Sequence, residues 1–171
     1  MGEGREKEAG EREAIALGLR NVCFVGSLYG DALKAAYRGA LAFVLPSLIE
    51  AWGLVVNEAM ASGTPVVVSS IAGCVQDLVD HGRTGMIFRS GDALDLAKIL
   101  KVLCADQDLR QRLAENGRAR VADYSPDRFG RCAATLFSDI IRDGRNRRWQ
   151  KVRQVVLEAA NALRLVGSRI R

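Results

Sequence analysis

The chain has one histidine, His81, among 171 residues, and its four cysteines (Cys23, Cys74, Cys104 and Cys132) show no C-x-x-C spacing. Zinc and redox centres draw on clustered Cys and His, so no metal site is expected. The isolated cysteines read instead as small buried thiols in a reducing compartment. Also lacking is any apolar run near the roughly 18 to 20 residues that span a membrane. The amino-terminal stretch "MGEGREKEAGEREA" has neither the apolar core nor the cleavage site of a secretory signal. A cytoplasmic protein is the expectation, with neither an internal repeat nor a low-complexity linker.

What is present is ordinary globular composition, 49% hydrophobic and 26% charged. A chain of this length forms one domain by the usual prior and buries roughly 70% of its unfolded surface. The net charge of +5 is unevenly spread. Residues 142–171 hold nine Lys or Arg against two acids, while the other 141 residues hold 16 basic and 18 acidic side chains. The body is near neutral and the tail is basic.

Short apolar runs bounded by Gly, Pro or Ser predict strands at 22–26 ("VCFVG"), 41–46 ("LAFVLP"), 65–70 ("PVVVSS") and 85–89 ("GMIFR"). Helices are expected between them, at 5–18, 31–39, 53–62 and 73–80. Strands that are apolar throughout and alternate with helices belong to a parallel sheet covered on both faces. The fold class is therefore α/β, a Rossmann-like parallel sheet with a helical C-terminal extension. After Arg89 the period changes to about 3.6. Asp92 caps a helix carrying Leu94, Leu96, Ile99, Leu100 and Leu103, and Asp106 caps one carrying Leu109, Leu113 and Val121. Ser125 with Pro126 opens a third, and the break at Gly144 precedes a last helix of about 20 residues striped by Trp149, Val152, Val156, Ala159 and Leu163. The division drawn is 1–141 and 142–171.

Within "LPSLIEAWGLVVNEAMASGTPVV" (45–67), Glu50 and Glu58 lie in an otherwise apolar, small-residue run and read as buried acids. In open parallel sheets ligands sit beyond the carboxyl ends of strands, where helices begin. Gly53 and Leu54 start such a helix, and its first backbone N–H groups can hold a phosphate without a basic side chain. Helical side chains lean toward the amino end, which aims Glu58 at that site. A buried carboxylate needs donors, and a ribose diol offers two. Glu50, on the loop, could hold hydroxyls of a second sugar. The bland alternative stays open: a solvated helix residue, a loop carboxylate, and a glycine that merely fits a turn.

"FVLPSLIEAWGLVVNEAMASGTPVVVSS" followed by "AGCVQDLVDHGRTGMIF" resembles the donor-binding half of the family 4 glycosyltransferases, retaining enzymes of the GT-B fold. Their run is P-S-x-x-E-G-F-G-L-x-x-x-E-A-M-A-x-G-x-P-V-V, then a Gly-rich turn, an acid and G-x-T/N-G. The likeness is dense over about 19–90 and thinner to about 140. It implies that Glu50 contacts the donor sugar as the catalytic-site acid and that Glu58 binds the nucleotide ribose. Trp52, Gly53, Leu54 and Val55 would line the diphosphate and sugar pocket, and Gly26, Ser27 and Tyr29 would lie beside the base. Ala51 and Trp52 replace the usual Gly-Phe, and Asp77 stands where Glu is commoner. His81 reads as structural. Asp106 and Asp108 form a D-x-D string at a helix start, away from the loops expected to bind.

The resemblance further implies a nucleotide-diphosphate sugar as donor substrate, with neither cofactor nor metal. It also implies a second, acceptor-binding domain or partner chain, and a first donor-domain strand whose Arg and Lys neutralise the diphosphate. Neither is found in this sequence, and 41–82 contains no Lys or Arg. The function expected is a glycosyltransferase donor domain, with a sugar-nucleotide epimerase of like fold or a non-catalytic nucleotide-sugar binding subunit as alternatives. Many members use lipid-linked acceptors, so the basic tail could touch a membrane peripherally. The favoured reading is that its apolar stripe packs onto the sheet or onto a further domain. Nucleic acid is not an expected partner, because the tail lacks an aromatic platform.

Overall fold

The computed structural model describes residues 6–142. The elements are α1 (Lys7–Ala16), α2 (Gly30–Gly39), β1 (Phe43–Leu45), α3 (Leu54–Ala61), β2 (Val66–Ser69), α4 (Val75–Leu78), β3 (Met86–Phe88), α5 (Ala93–Ala105), α6 (Gln107–Ala122) and α7 (Pro126–Arg142). The chain divides into two compact units, one ending at Ala122 and one beginning at Asp123.

In the first unit the sheet is parallel, in the order β1-β2-β3, with Phe43 opposite Val66 and Val67 opposite Met86. Strand β2 is buried along its length, and its alternate side chains face opposite ways. Val66 and Val68 join Val56, Ala59 and Met60 of α3, Leu78 of α4 and Tyr37 of α2. Val67 joins Met86 and Phe88 of β3, Ile99 and Leu103 of α5 and Leu113 of α6. Two apolar clusters on the two faces of one strand establish the doubly covered α/β layout.

The expected strand at 22–26 does not form. Val22, Phe24 and Val25 are exposed, and the Phe24 ring lies beside Gly10 of α1. An apolar run supplies strand propensity, but a strand persists only where a neighbour completes its hydrogen bonds. Among the described residues no strand pairs with that segment. The thiols also differ from expectation: only Cys74 is buried, while Cys23, Cys104 and Cys132 are exposed. Cys23 lies in the unpaired segment, and Cys104 follows the inward-facing Leu103 around α5. Leu94 is 76% exposed, because it stands five residues before Ile99 and so about 140° round the helix from it.

The caps are as expected. Asp92 accepts from the Asp95 N–H at 2.9 Å, Asp106 from the Leu109 N–H at 2.8 Å, and Ser125 from the Arg128 N–H at 3.3 Å. In the second unit, Arg128 pairs with Asp123, and Phe129, Leu136, Phe137 and Ile141 form an exposed stripe along α7. The basic helix expected after Gly144 lies outside the described residues.

Candidate functional site

The site begins where β1 ends. Pro46 cannot donate to a ladder, so the chain leaves the sheet and loops to α3. At Gly53 φ is +97°, and a Cβ there would lie 3.0 Å from the Leu45 side chain. Two backbone bonds fasten this loop to the one after β2: the Gly73 N–H donates to the Glu50 carbonyl at 3.2 Å, and the Cys74 N–H to the Trp52 carbonyl at 3.0 Å. The approach at Gly73 is so close that a Cβ would sit 2.0 Å from the Ala51 carbonyl oxygen. Glycine is the residue that permits that contact. The loop bearing Glu50 is thus clamped from the neighbouring loop.

Beside it opens a cavity of about 470 Å³. Ser27 and Tyr29 contribute to one wall, Tyr37 of α2 and Phe43 of β1 to another, and Glu50, Val55 and Glu58 reach it from the clamped loop and α3. Five expected residues are brought together here: Ser27, Tyr29, Glu50, Val55 and Glu58. Gly26, Trp52, Gly53 and Leu54 do not line the cavity. Gly26 is buried at φ +68° in the turn that delivers Ser27, and the Trp52 indole N–H donates to Asn57 Oδ1 at 3.0 Å. Gly53 is buried at the start of α3, and the Leu54 side chain is 69% exposed.

Neither carboxylate is buried as the surrounding run suggested. Glu50 is half-buried and accepts from the Trp52 N–H at 3.4 Å, while Glu58 is exposed. The reason is helical phase: α3 turns Val56, Ala59 and Met60 into the core, which leaves Leu54, Val55 and Glu58 outward. Glu58 does have a donor within the protein. The Tyr37 hydroxyl donates to its Oε2 at 3.1 Å.

Tyr37 was not among the expected site residues. It is 3% exposed and packs edge-on against Phe43, ring centroids 5.5 Å apart. Its main-chain carbonyl accepts from Thr64 Oγ1 at 2.7 Å. Burial, then the bond to Glu58 and its negative charge, pushes its hydroxyl up to about 12. The spacing of Leu33 and Tyr37 on α2 signals an inward face, but nothing in the sequence joins position 37 to position 58. The Cys74 thiol is also pushed up, chiefly by burial; a backbone hydrogen bond opposes this, and the carboxylates of Glu50 and Asp77 add smaller upward contributions.

His81 serves the sheet: its Nδ1 accepts from the Ile87 N–H at 3.0 Å. Among the described residues no group of three or more His, Cys, Asp or Glu could hold a metal ion. None of the residues lining the cavity is Lys or Arg. The cavity can accept hydroxyl hydrogens at two carboxylates, with a helix amino terminus nearby for an anion.

A parallel sheet covered on both faces, with its cavity beside the carboxyl end of a strand, defines the class as an α/β domain with a GT-B-like fold. The sequence pattern of the family described as glycosyl transferases group 1 matches residues 1–120. The chain belongs to that family.

Among curated relatives, sulfoquinovosyl transferase SQD2 of Arabidopsis thaliana is 38% identical over 127 residues, covering 72% of this chain and 24% of that protein. Among solved structures, sucrose-phosphate synthase from Thermosynechococcus elongatus superposes with TM-score 0.69 at 33% identity, covering 80% of this chain and 35% of that one. Anabaena HepE in complex with UDP-glucose superposes with TM-score 0.66 at 28% identity, covering 77% and 36%. The chain spans about a quarter to a third of the length of curated relatives it matches. Among the described residues no helix is long and apolar enough to cross a membrane.

Proposed function

We propose that this chain is the donor-binding part of a retaining, metal-independent glycosyltransferase of family 4 that takes its glycosyl group from a nucleotide-diphosphate sugar. The observation that carries the reading is the pair Glu50 and Glu58 on one cavity beside the amino end of α3, in a member of the group 1 family. Glu58 accepts from the ribose hydroxyls. Glu50 stands nearer the reacting sugar and orients it through its hydroxyls. The first backbone N–H groups of α3, at Gly53 to Val55, take the diphosphate and stabilise the charge left on it as it departs. Ser27 and Tyr29 lie on the base side, with Gly26 shaping their turn and Trp52 bordering the sugar side. HepE, solved with UDP-glucose, supports a donor of this class.

Two like charges and no cation at the cavity favour a site completed from outside the described residues. A further domain or a partner chain would supply the acceptor and add positive charge beside the diphosphate.

The test is thermal denaturation of the chain with UDP, GDP, ADP and their sugar conjugates, alongside Glu58→Ala. A ligand at about 100 times its dissociation constant adds about 2.7 kcal/mol of stability. Stabilisation by one base that is lost in the variant supports the assignment. Equal stabilisation of both proteins removes Glu58 from the ribose site, and no stabilisation by any nucleotide defeats the reading for this chain.

A further inference from the structure

We propose that Tyr37 is a positioning residue: its hydroxyl holds Oε2 of Glu58 and so presets the carboxylate for the hydroxyls of a bound nucleotide. The inference rests on the reading of Glu58 as the ribose ligand and names a residue that prepares it.

Glu58 stands on the exposed face of α3, where a glutamate otherwise samples several rotamers. Tyr37 is the opposite case. Its ring is buried and set edge-on against Phe43 at 74°, and its main chain is tied to Thr64. The hydroxyl therefore occupies a fixed point on the cavity wall and reaches across from α2 to a residue 21 positions further along. A buried hydroxyl needs a partner, and this one takes a single oxygen of the carboxylate. The other oxygen, Oε1, and the remaining lone pair of Oε2 stay available to a diol. A hydroxyl pushed up to about 12 remains a donor at all ordinary pH values, so the contact persists across them. Each element comes from a different part of the chain, and the fold alone brings them together.

A tyrosine that is merely a core residue with a convenient acceptor would show the same bond, so the test must separate the two. The experiment is calorimetric titration of the full chain with UDP, GDP and ADP, and with the 2′,3′-dideoxy form of the one that binds. The proteins are wild type, Tyr37→Phe, Glu58→Ala and the double variant, alanine being chosen because a glutamine oxygen would still accept from the Tyr37 hydroxyl. Tyr37→Phe keeps the ring and its packing, which is checked by an unchanged melting temperature at neutral pH. The expected result is an approximately tenfold weaker binding of the ribonucleotide by Tyr37→Phe, the scale of one hydrogen bond to a charged group. No loss is expected for the dideoxy nucleotide, nor for Tyr37→Phe when added to Glu58→Ala.

Unchanged binding by Tyr37→Phe, with binding weakened by Glu58→Ala, overturns the positioning role and leaves the proposed function standing. An equal loss for the dideoxy nucleotide, or the same loss in the Glu58→Ala background, makes Tyr37 structural and overturns the inference. Failure of the wild type to bind any of the three defeats both. A ligand-free measurement checks the contact itself. In ultraviolet titration Glu58→Ala should lower the Tyr37 transition from about 12 toward its ordinary value of 10.0, and an unmoved transition overturns the inference.

Discussion

At the scale of the residue, the cavity joins a phenol and a carboxylate that lie far apart in sequence. Tyr37 holds its proton more tightly in the folded chain than in the unfolded one, where it ionises near 10.0. The folded state therefore keeps its full contribution below about pH 10 and loses it as pH rises toward about 12. The wild type is expected to lose about 2 kcal/mol more stability across that window than Tyr37→Phe, which has nothing to ionise there. Urea denaturation at pH 9 and at the alkaline end of the window measures the difference. Parallel curves for the two proteins would mean that the hydroxyl does not feel Glu58 or its burial. Tyr37 was legible in the sequence as an inward-facing helical residue. Its partner was not, because hydrogen bonding across 21 positions depends on how α2 and α3 pack.

At the scale of the element, the deciding feature is the clamp between the loops that follow β1 and β2. Gly53 was legible as a helix start, since a glycine after a short loop and before an apolar run marks a boundary. Gly73 was legible only as part of a turn. Its function is to let the Glu50 loop pass within contact distance of a neighbouring backbone. Gly73→Ala would place a Cβ against the Ala51 carbonyl, and a backbone atom cannot swing aside as a side chain can. The expected cost is about 1 to 3 kcal/mol, the range for overpacking, with nucleotide binding lost more than stability because the Glu50 loop must move. Chemical denaturation with calorimetric titration checks both. A variant that melts and binds as wild type would show that the clamp is dispensable.

At the scale of the whole molecule, charge around the cavity is one-sided. A nucleoside diphosphate approaching Glu50 and Glu58 meets like charge, and among the described residues no lysine or arginine lines the cavity to offset it. Added salt screens that repulsion. Affinity of this chain for a nucleoside diphosphate is therefore expected to stay level or rise modestly between about 0.05 and 0.5 M salt, at Debye lengths of roughly 14 and 4 Å. Titration at the two salt concentrations measures it. A steep fall would instead reveal that cations of this same chain reach the diphosphate.

What the sequence determined by itself is the part of the protein governed by local periodicity and short spacing. Near-continuous apolar runs marked β1, β2 and β3, and Asp92, Asp106 and Ser125 marked the helices they cap. The run from Pro46 to Val67 carried its family in its own spacing. Only the tertiary structure decided which apolar run found a partner: "VCFVG" has the composition of a strand, yet no neighbour hydrogen-bonds it among the described residues. It alone decided that Glu58 faces outward to Tyr37 rather than into an apolar core, because helical phase fixes which side of α3 is buried. Propensity is a property of neighbours in the chain. Pairing, burial and the meeting of two side chains are properties of neighbours in space.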